Sequence, residues 1–448
     1  MLPIVEVPKT IATGMLNYRD VFRREEGFDH VSRYVTGLII SPNKTLQGIY
    51  DLQVWGEASA KPGRRSMHES VFENGWDSEA LMKQHRVFVS PSHRGQGREV
   101  ISLDWTFSHH DRGPEIYGNK REYDYVEGRT GRFQTLVTAV VSNNRLIDGL
   151  DVVVQAPNVA VSELEYLKMA AKDRYEQMDE IRDHLLELLY HQKHKLEYKK
   201  RTEIAYEMVV QIEEEGLFPE AHYAFDNGVL TLDLSRYIES RGKHWVSEIE
   251  CSRHINWTGE WRRVDAVAEM LRQDHPESFR HIKVKCRNGE IKDYWVFTKV
   301  LRLKRYGRKR LVIVHEKEDL TDTPRFYLTD ALHWESVRIL ETWSYRWTSE
   351  IFHEFGKQVT GLESAQVRNE EAVKRHFRLS CVAQSLIQRT PAEESKSERF
   401  EFSNGKATIG QRCRKIAREI LHSMLELCRR LFMEGKSCDE VLDILMPA

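Results

Sequence analysis

Three successive strand-like segments within residues 100–155 constrain the fold of this chain most strongly. In VISLDWTF (100–107), apolar and polar residues alternate with the period of a half-buried strand. Two β-branched runs follow, GRFQTLVTAVV and RLIDGLDVVVQ, and the Ser-Asn-Asn between them indicates a hairpin. A long helical pattern then covers residues 160–216. This succession predicts an α/β fold, with a mixed sheet flanked by helices.

Asp104 lies in the middle of the first strand-like segment. A carboxylate in an apolar strand is costly to bury unless it has a partner. Two interpretations are open: a backbone or ion-pair partner inside the fold, or a metal ion in a functional site. Asp104 is therefore the first candidate for a catalytic, metal-binding residue.

Asp226, in HYAFDNGVL (222–230), is the second candidate. The run HYAF predicts a short strand and Asp-Asn-Gly predicts a turn, so Asp226 is expected at the carboxyl end of that strand. Asp-Asn-Gly is also a common turn sequence without any further function. Asp233, in TLDLSRY, is a rival, but it falls near a helix start, where an acidic residue is expected on electrostatic grounds alone.

A helical pattern over residues 334–357 carries aromatic, cationic and acidic side chains on one stripe. At about 100° per residue, Trp343, Glu350 and Lys357 fall within about 60° of Arg346. The simplest interpretation is a surface helix with an Arg346–Glu350 pair one turn apart. The functional interpretation is a carboxylate that holds a metal ion, flanked by cations that hold phosphates.

The spacing Trp343-x2-Arg346-x3-Glu350-x6-Lys357 resembles the Tyr-Arg-Glu-Lys signature of DDE-type bacterial insertion-sequence transposases. Trp343 departs from that signature, because it keeps an aromatic ring but lacks the tyrosine hydroxyl. A phosphate hydrogen bond from this position is therefore not expected. The aromatic contact and both cations of the signature are retained.

The resemblance extends over most of residues 30–385 and, besides the signature, is strongest near 102–125 and 222–253. It implies a ribonuclease H-like mixed sheet flanked by helices, with an N-terminal helical region and a β-rich insertion. In such a sheet the fourth strand lies beside the first and parallel to it. Asp104 and Asp226 are then expected to meet at one edge of the sheet.

The same resemblance implies a catalytic Asp-Asp-Glu triad of Asp104, Asp226 and Glu350. These carboxylates are expected to bind Mg²⁺, or Mn²⁺, and to support two-metal phosphoryl transfer. The implied activity is that of a transposase, which cleaves double-stranded DNA at the ends of an insertion sequence and joins the 3′ ends to target DNA. Members of the family act as dimers on paired ends, so a homodimer on DNA is expected.

Two other functions are compatible with the same residues. One is a domesticated or non-catalytic DNA-binding relative, although the presence of all three carboxylates and both cations argues against decay of the site. The other is a ribonuclease H-like nuclease that cuts DNA without strand transfer. Strand-transfer products distinguish this nuclease from a transposase.

The DNA-binding candidates fall in two groups. Trp343, Arg346 and Lys357 come from the signature. Basic residues interleaved with aromatic ones in 254–324 fit a surface that grips DNA, and a small packed β subdomain with a charged exterior is the alternative. Arg308, Lys309 and Arg310 are the candidates from this stretch, and Lys120, which follows the Asp104 segment, is one further candidate.

Changes of pattern divide the chain into five parts. An N-terminal helical region (1–98), whose short helices suit either DNA binding or a plain helical cap, precedes the first part of the catalytic core (99–253). The β-rich insertion (254–324) separates it from the second part of the core (325–389). A linker and a C-terminal helix occupy residues 390–448.

Composition limits the class of protein. A net charge of −2 and a pI of about 6.8 exclude a uniformly basic nucleic-acid coat, but they leave room for local basic patches. The sequence shows neither a membrane-spanning apolar run nor a secretory signal pattern. The six cysteines form no Cys-x-x-Cys pair, which predicts reduced thiols and no structural zinc site. A cytoplasmic, nucleoid-associated protein is expected.

Overall fold

The computed structural model describes residues 2–55, 62–110, 113, 115–125, 127–171, 178–194, 197–364, 366–392 and 407–446. In these residues the chain has a mixed α/β fold built on one large sheet. The described strands are β1 (Val100–His109), β2 (Asn119–Asp124), β3 (Arg129–Ser142), β4 (Ile147–Val154), β5 (His222–Phe225), β6 (Trp245–Glu248), β7 (His254–Trp257), β8 (Glu260–Arg263), β9 (Arg280–Lys285), β10 (Ile291–Leu303), β11 (Gly307–His315) and β12 (Arg325–Thr329).

The sheet has 12 described strands and a mixed topology, in the order β2-β3-β1-β5-β6-β12-β11-β10-β7-β8. β4 also pairs with β3, and β9 also pairs with β10. β1 pairs in parallel with β5, and β5 with β6, whereas the other pairs are antiparallel. The predicted α/β class and its mixed sheet are confirmed. The strands of the predicted insertion extend this same sheet, because β11 pairs with β12 and β12 pairs with β6.

Helices lie on both faces of the sheet and at the N-terminal side of the fold. The described α-helices are α1 (Lys9–Met15), α2 (Glu25–Ile40), α3 (Leu46–Tyr50), α4 (Arg64–His68), α5 (Ser78–Val89), α6 (Val159–Ala171), α7 (Met178–His194), α8 (Arg201–Glu215), α9 (Leu232–Ser240), α10 (Val264–Asp274), α11 (Ser336–Ser344), α12 (Trp347–Gln358), α13 (Glu370–Arg389), α14 (Ile409–Met433) and α15 (Cys438–Leu445).

The alternation in β1 determines which side chains face which helix. Ile101 and Leu103 point into a core that they share with Met208 of α8. Ser102 points to the opposite face, where its hydroxyl accepts a hydrogen bond of 2.7 Å from Ser349 of α12. Because side chains in a strand alternate, Asp104 points to the same face as Ser102. The face that carries Asp104 is therefore the face that α12 covers.

The described part of the N-terminal region is helical and packs on α13. Apolar residues of α2, such as Val31 and Leu38, share a core with Leu379 and Val382 of α13. This packing ties the N-terminal helices to a helix from the far end of the sequence. It is a long-range contact that the sequence pattern does not reveal.

The segment 334–357, predicted as one continuous helix, is two helices, α11 and α12. At their junction the amide of Tyr345 bonds to Thr342 O at 3.2 Å, and that of Arg346 bonds to Trp343 O at 2.9 Å. These bonds span three residues, as in a 3₁₀ turn, and they break the regular helix. Tyr345 is buried at this junction and donates its hydroxyl to Asn144.

Three further differences from the sequence-based expectation concern local structure. The insertion contains the helix α10 as well as strands. The next helix after α12, α13, begins only at Glu370, because Gly361 has a positive φ of 75° that an α-helix does not accommodate. Residues 393–406 of the predicted linker lie outside the described residues.

Candidate active site

Asp104 and Asp226 are neighbours across two parallel strands. β1 and β5 pair in a register that sets Leu103 opposite Phe225. Asp104 directly follows Leu103 and Asp226 directly follows Phe225, so both carboxylates lie at the carboxyl end of this strand pair. The structure therefore brings together the two aspartates that were singled out from the sequence.

Helix α12 carries Glu350 over the same end of the sheet. Two polar contacts fix the helix on the sheet: the hydrogen bond from Ser349 to Ser102, and one of 2.8 Å between His353 Nε2 and Thr138 Oγ1. His353 is buried, which lowers its pKa to about 3, so its ring is neutral in this contact. Glu350 lies between these two anchor points in sequence and is partly exposed.

Arg346 lies between two of the three carboxylates. Its Nη2 is 2.5 Å from Glu350 Oε1, and its Nη1 is 3.6 Å from Asp104 Oδ2. The guanidinium also lies 5.3 Å from the centre of the Trp343 ring, which is within the range of a cation–π contact. Three residues of the predicted signature, Trp343, Arg346 and Glu350, thus form one cluster with Asp104.

The electrostatics of the cluster are unusual at Asp104. Burial, followed by the neighbouring carboxylate of Asp226, raises the pKa of Asp104 to about 7. Glu350 acts in the same direction. The hydrogen bond from the Trp105 amide and the charge of Arg346 lower the pKa, but they only partly offset the increase. A cation bound beside Asp104 would oppose this shift, because positive charge favours the ionised carboxylate.

Asp226 also has the local role that its turn sequence predicts. Its Oδ1 accepts hydrogen bonds from the amides of Gly228, at 3.0 Å, and Val229, at 3.2 Å. Both bonds use the same oxygen atom. The turn therefore orients the Asp226 carboxylate, and neither of these two bonds uses Oδ2.

Lys357 lies further along α12 and is anchored at the end of β1. Its Nζ donates to Phe107 O at 2.7 Å and forms an ion pair with Glu363 Oε1 at 2.6 Å. Glu363 in turn lies 3.7 Å from His109 Nδ1. The structure therefore connects Lys357 to β1, whereas the sequence did not single out its partner Glu363.

The other predicted DNA-binding residues are not equivalent. Lys120 is buried and forms polar contacts with Gln155 Oε1, at 3.1 Å, and Glu122 Oε2, at 2.9 Å, a placement that does not support a phosphate contact. Lys309 is buried as well and pairs with Glu239 Oε1 at 3.1 Å.

Arg308 and Arg310 lie on β11 but differ in exposure. Arg310 is half-buried and donates from Nε to Leu332 O at 2.9 Å, so a backbone carbonyl already uses part of its guanidinium. Arg308 is exposed and lies opposite Arg302 of β10. Of the four basic residues predicted outside the signature, Arg308 is thus the one placed as a surface contact requires.

Glu248 is a further acidic residue at the site that sequence reasoning did not identify. Phe225 pairs with Ser247, so the residues that follow them, Asp226 just after β5 and Glu248 at the end of β6, are neighbours. Glu248 also pairs with Tyr327, whose ring contacts that of Trp343 at 5.1 Å between centroids. Glu248 could not be identified from the sequence, because its proximity to Asp226 arises only from the pairing of β5 with β6.

The donor set at this edge suits a hard divalent cation. Asp104, Asp226 and Glu350 offer carboxylate oxygens, which Mg²⁺ and Mn²⁺ prefer, and burial together with the neighbouring carboxylates raises the pKa of Asp104. The three groups are not drawn together as tightly as a metal-bound set. Among the described residues, the one group of three with all ligand atoms within 4.8 Å of one another is His109, Asp124 and Glu127.

Comparison with known protein families finds no family that matches this chain, and comparison with curated proteins finds no matching protein. Within the described part of the chain, no helix has both the length and the apolar character needed to cross a membrane.

Proposed function

We propose that this chain is a DDE-type transposase that cleaves DNA at the ends of an insertion sequence and joins the 3′ ends to target DNA. The observation that carries the proposal is the register of β1 and β5, which makes Asp104 and Asp226 neighbours beneath the helix of Glu350. The raised pKa of Asp104 supports it, because Asp226 and Glu350 both contribute to the shift.

The strand order supports a ribonuclease H-like core. β1, β3 and β4 are consecutive antiparallel neighbours apart from the short β2 hairpin strand, and β5 lies on the other side of β1 and parallel to it. β6 follows in parallel. This is the arrangement that the resemblance implies, with the first aspartate on the first strand and the second aspartate after the fourth.

Asp104, Asp226 and Glu350 are the residues that would hold the metal ions. Mg²⁺ bound there would activate the attacking oxygen and stabilise the leaving oxygen of an in-line phosphoryl transfer. Arg346 now neutralises Glu350 and lies close to Asp104, and we infer that it turns to a DNA phosphate when DNA binds. Lys357 would neutralise phosphates from the same helix face.

The sheet offers a surface along which DNA could extend from the site. Cross-strand partners share a face of a sheet. The face of Asp226 continues through the neighbouring pairs Glu248–Tyr327, Tyr327–Val312 and Val312–Thr298. Four residues further along β10, on the same face, Arg302 pairs with Arg308, and both are exposed. Arg302 and Arg308 are accordingly proposed to contact the DNA backbone.

The test is an assay of cleavage and joining on a labelled DNA fragment that bears the end of the element encoding this chain. Wild type is compared with Glu350→Gln in Mg²⁺. Glu354→Gln is the matched control, because Glu354 lies one turn later on the same helix and is exposed. The account predicts metal-dependent cutting and joined products in wild type and Glu354→Gln, and loss of both in Glu350→Gln while DNA binding persists.

Three outcomes would contradict the proposal or part of it. DNA binding without cutting in all three proteins would indicate a non-catalytic DNA-binding protein. Cutting without joined product would indicate a nuclease. Equal activity of Glu350→Gln and Glu354→Gln would remove Glu350 from the site.

A further inference from the structure

A cavity of about 650 Å³ lies beside α12, away from the carboxylates. At about 100° per residue, Phe355, which lines the cavity, lies about 140° around the helix from Glu350. The other walls come from the turn after β3, the turn before β10, the second half of α13 and the start of α14. Its volume is typical of a site for a small organic ligand.

The apolar wall of the cavity is formed mainly by α12 and α13. Phe352, Phe355 and Val359 line it from α12, and Ile387 lines it from α13. Such a wall buries the hydrocarbon part of a ligand.

Three arginines line the same cavity, and none of the described residues that line it is acidic. Within the described residues, Arg287 bonds to two backbone carbonyls, Asn143 O at 2.8 Å and Leu146 O at 3.1 Å. Arg412 bonds to the carbonyl of Thr390. No carboxylate of the described residues forms an ion pair with Arg145, Arg287 or Arg412, so their positive charge is not balanced there.

The electrostatic cost of this arrangement appears in the pKa values. Burial lowers the pKa of Arg287 to about 10. Burial, together with the like charge of Arg145, lowers the pKa of Arg412. Partly buried guanidinium groups without an acidic partner are unfavourable, and an anion would relieve that cost.

Gln384 provides an independent indication of a missing ligand. This side chain of α13 lines the cavity and is only 6% exposed, yet its Nε2 has no hydrogen-bond partner in the described structure. Buried amide donors are nearly always paired, because leaving one unpaired costs free energy. A ligand in the cavity with an acceptor oxygen would satisfy Gln384.

We propose that this cavity is a binding site for a small amphipathic anion, in which a carboxylate or phosphate head group is joined to an apolar body. The head group pairs with Arg145 and Arg412 at the mouth, and the body packs on Phe352, Phe355 and Ile387. This site is separate from the proposed DNA chemistry and does not depend on it. A bound ligand would brace α12 from the flank opposite Glu350.

The test is isothermal titration calorimetry on the full chain with two anionic probes, octanoate and octyl phosphate. 1-Octanol supplies the apolar body without charge, and acetate supplies the charge without the body. The variant is Arg145→Gln combined with Arg412→Gln. Arg24→Gln, at an exposed arginine outside the cavity, is the control. Gln384→Leu tests the orphan donor separately, and circular dichroism checks that each variant folds.

The proposal predicts saturable binding of at least one anionic probe by wild type and by Arg24→Gln. Affinity should fall about tenfold in the double arginine variant, and 1-octanol should bind at least about tenfold more weakly than the anion. Absence of saturable binding would overturn the proposal. So would equal affinity for the anion and 1-octanol, or equal affinity of wild type and the double variant.

Discussion

Arg346 and Glu350 form an ion pair of 2.5 Å one helical turn apart, beside the point where the pairing of β1 and β5 ends and Asp104 and Asp226 follow. The pair is more than a surface contact, because the same guanidinium lies 3.6 Å from Asp104. Arg346 thereby occupies the position of a cation between two carboxylates. Under the proposed function, the Arg346 guanidinium has to give up part of its contact with these carboxylates when metal ions and a DNA phosphate bind.

This relationship predicts how Arg346→Ala behaves. Removal of the guanidinium leaves Asp104, Asp226 and Glu350 in place and removes a competing positive charge. Mn²⁺ affinity, followed by electron paramagnetic resonance, should therefore be equal to wild type or higher. DNA cleavage should fall at least about tenfold, because a phosphate contact is lost. Loss of Mn²⁺ binding in this variant would contradict the assigned role.

The pKa of Asp104 predicts a pH-dependent difference in stability. The folded-state pKa of about 7 lies above the ordinary value of 3.8, so between these values the folded state binds more protons than the unfolded state. The contribution of Asp104 to folding stability therefore falls as pH rises from about 4 to about 7 and stays low above that. Asp104→Asn removes this dependence.

Denaturant unfolding in the presence of a chelator measures the effect. The stability of Asp104→Asn relative to wild type should increase by roughly 2 kcal/mol from pH 5 to pH 8. Asp233→Asn, at an exposed acid in the first turn of α9, is the control. A relative stability of Asp104→Asn that does not change with pH would refute the assignment.

Arg308 and Lys309 are adjacent in sequence but should respond differently to substitution. Arg308 is exposed, so Arg308→Gln should leave the unfolding free energy unchanged and weaken DNA binding severalfold. The dependence of DNA affinity on salt concentration should fall by the amount expected for the loss of about one phosphate contact. Lys309 is buried beside Glu239, so Lys309→Gln should lower stability by about 1 kcal/mol and leave the salt dependence unchanged. Identical salt dependence in wild type and Arg308→Gln would exclude Arg308 from the DNA surface.

Much of the fold follows from local patterns in the sequence. The alternation in VISLDWTF predicts β1, with Asp104 on the face opposite Leu103. The short HYAF run and its turn predict β5 and place Asp226 just after it. These predictions succeed because the period of a strand and the chemistry of a turn are local properties.

The remainder depends on contacts between distant segments. The pairing of β12 with β6 joins the insertion strands to the main sheet, and no local pattern specifies that partner. Lys309 is predicted as a DNA contact because basic and aromatic residues interleave in 254–324, but it is buried and pairs with Glu239 of α9, 70 residues away. The break between α11 and α12 at Tyr345 also depends on tertiary packing, since Asn144, which accepts its hydrogen bond, lies 201 residues away.

The most direct test of the central claim is a change of metal specificity at Asp226. A thiolate is a softer ligand than a carboxylate and favours Mn²⁺ over Mg²⁺. If Asp226 is a metal ligand, Asp226→Cys should lose most DNA cleavage activity in Mg²⁺. In Mn²⁺ the variant should be at least about tenfold more active than in Mg²⁺, while wild type shows no such difference. Equal loss in both metals, or full activity in Mg²⁺, would contradict the proposal that Asp226 holds the catalytic metal.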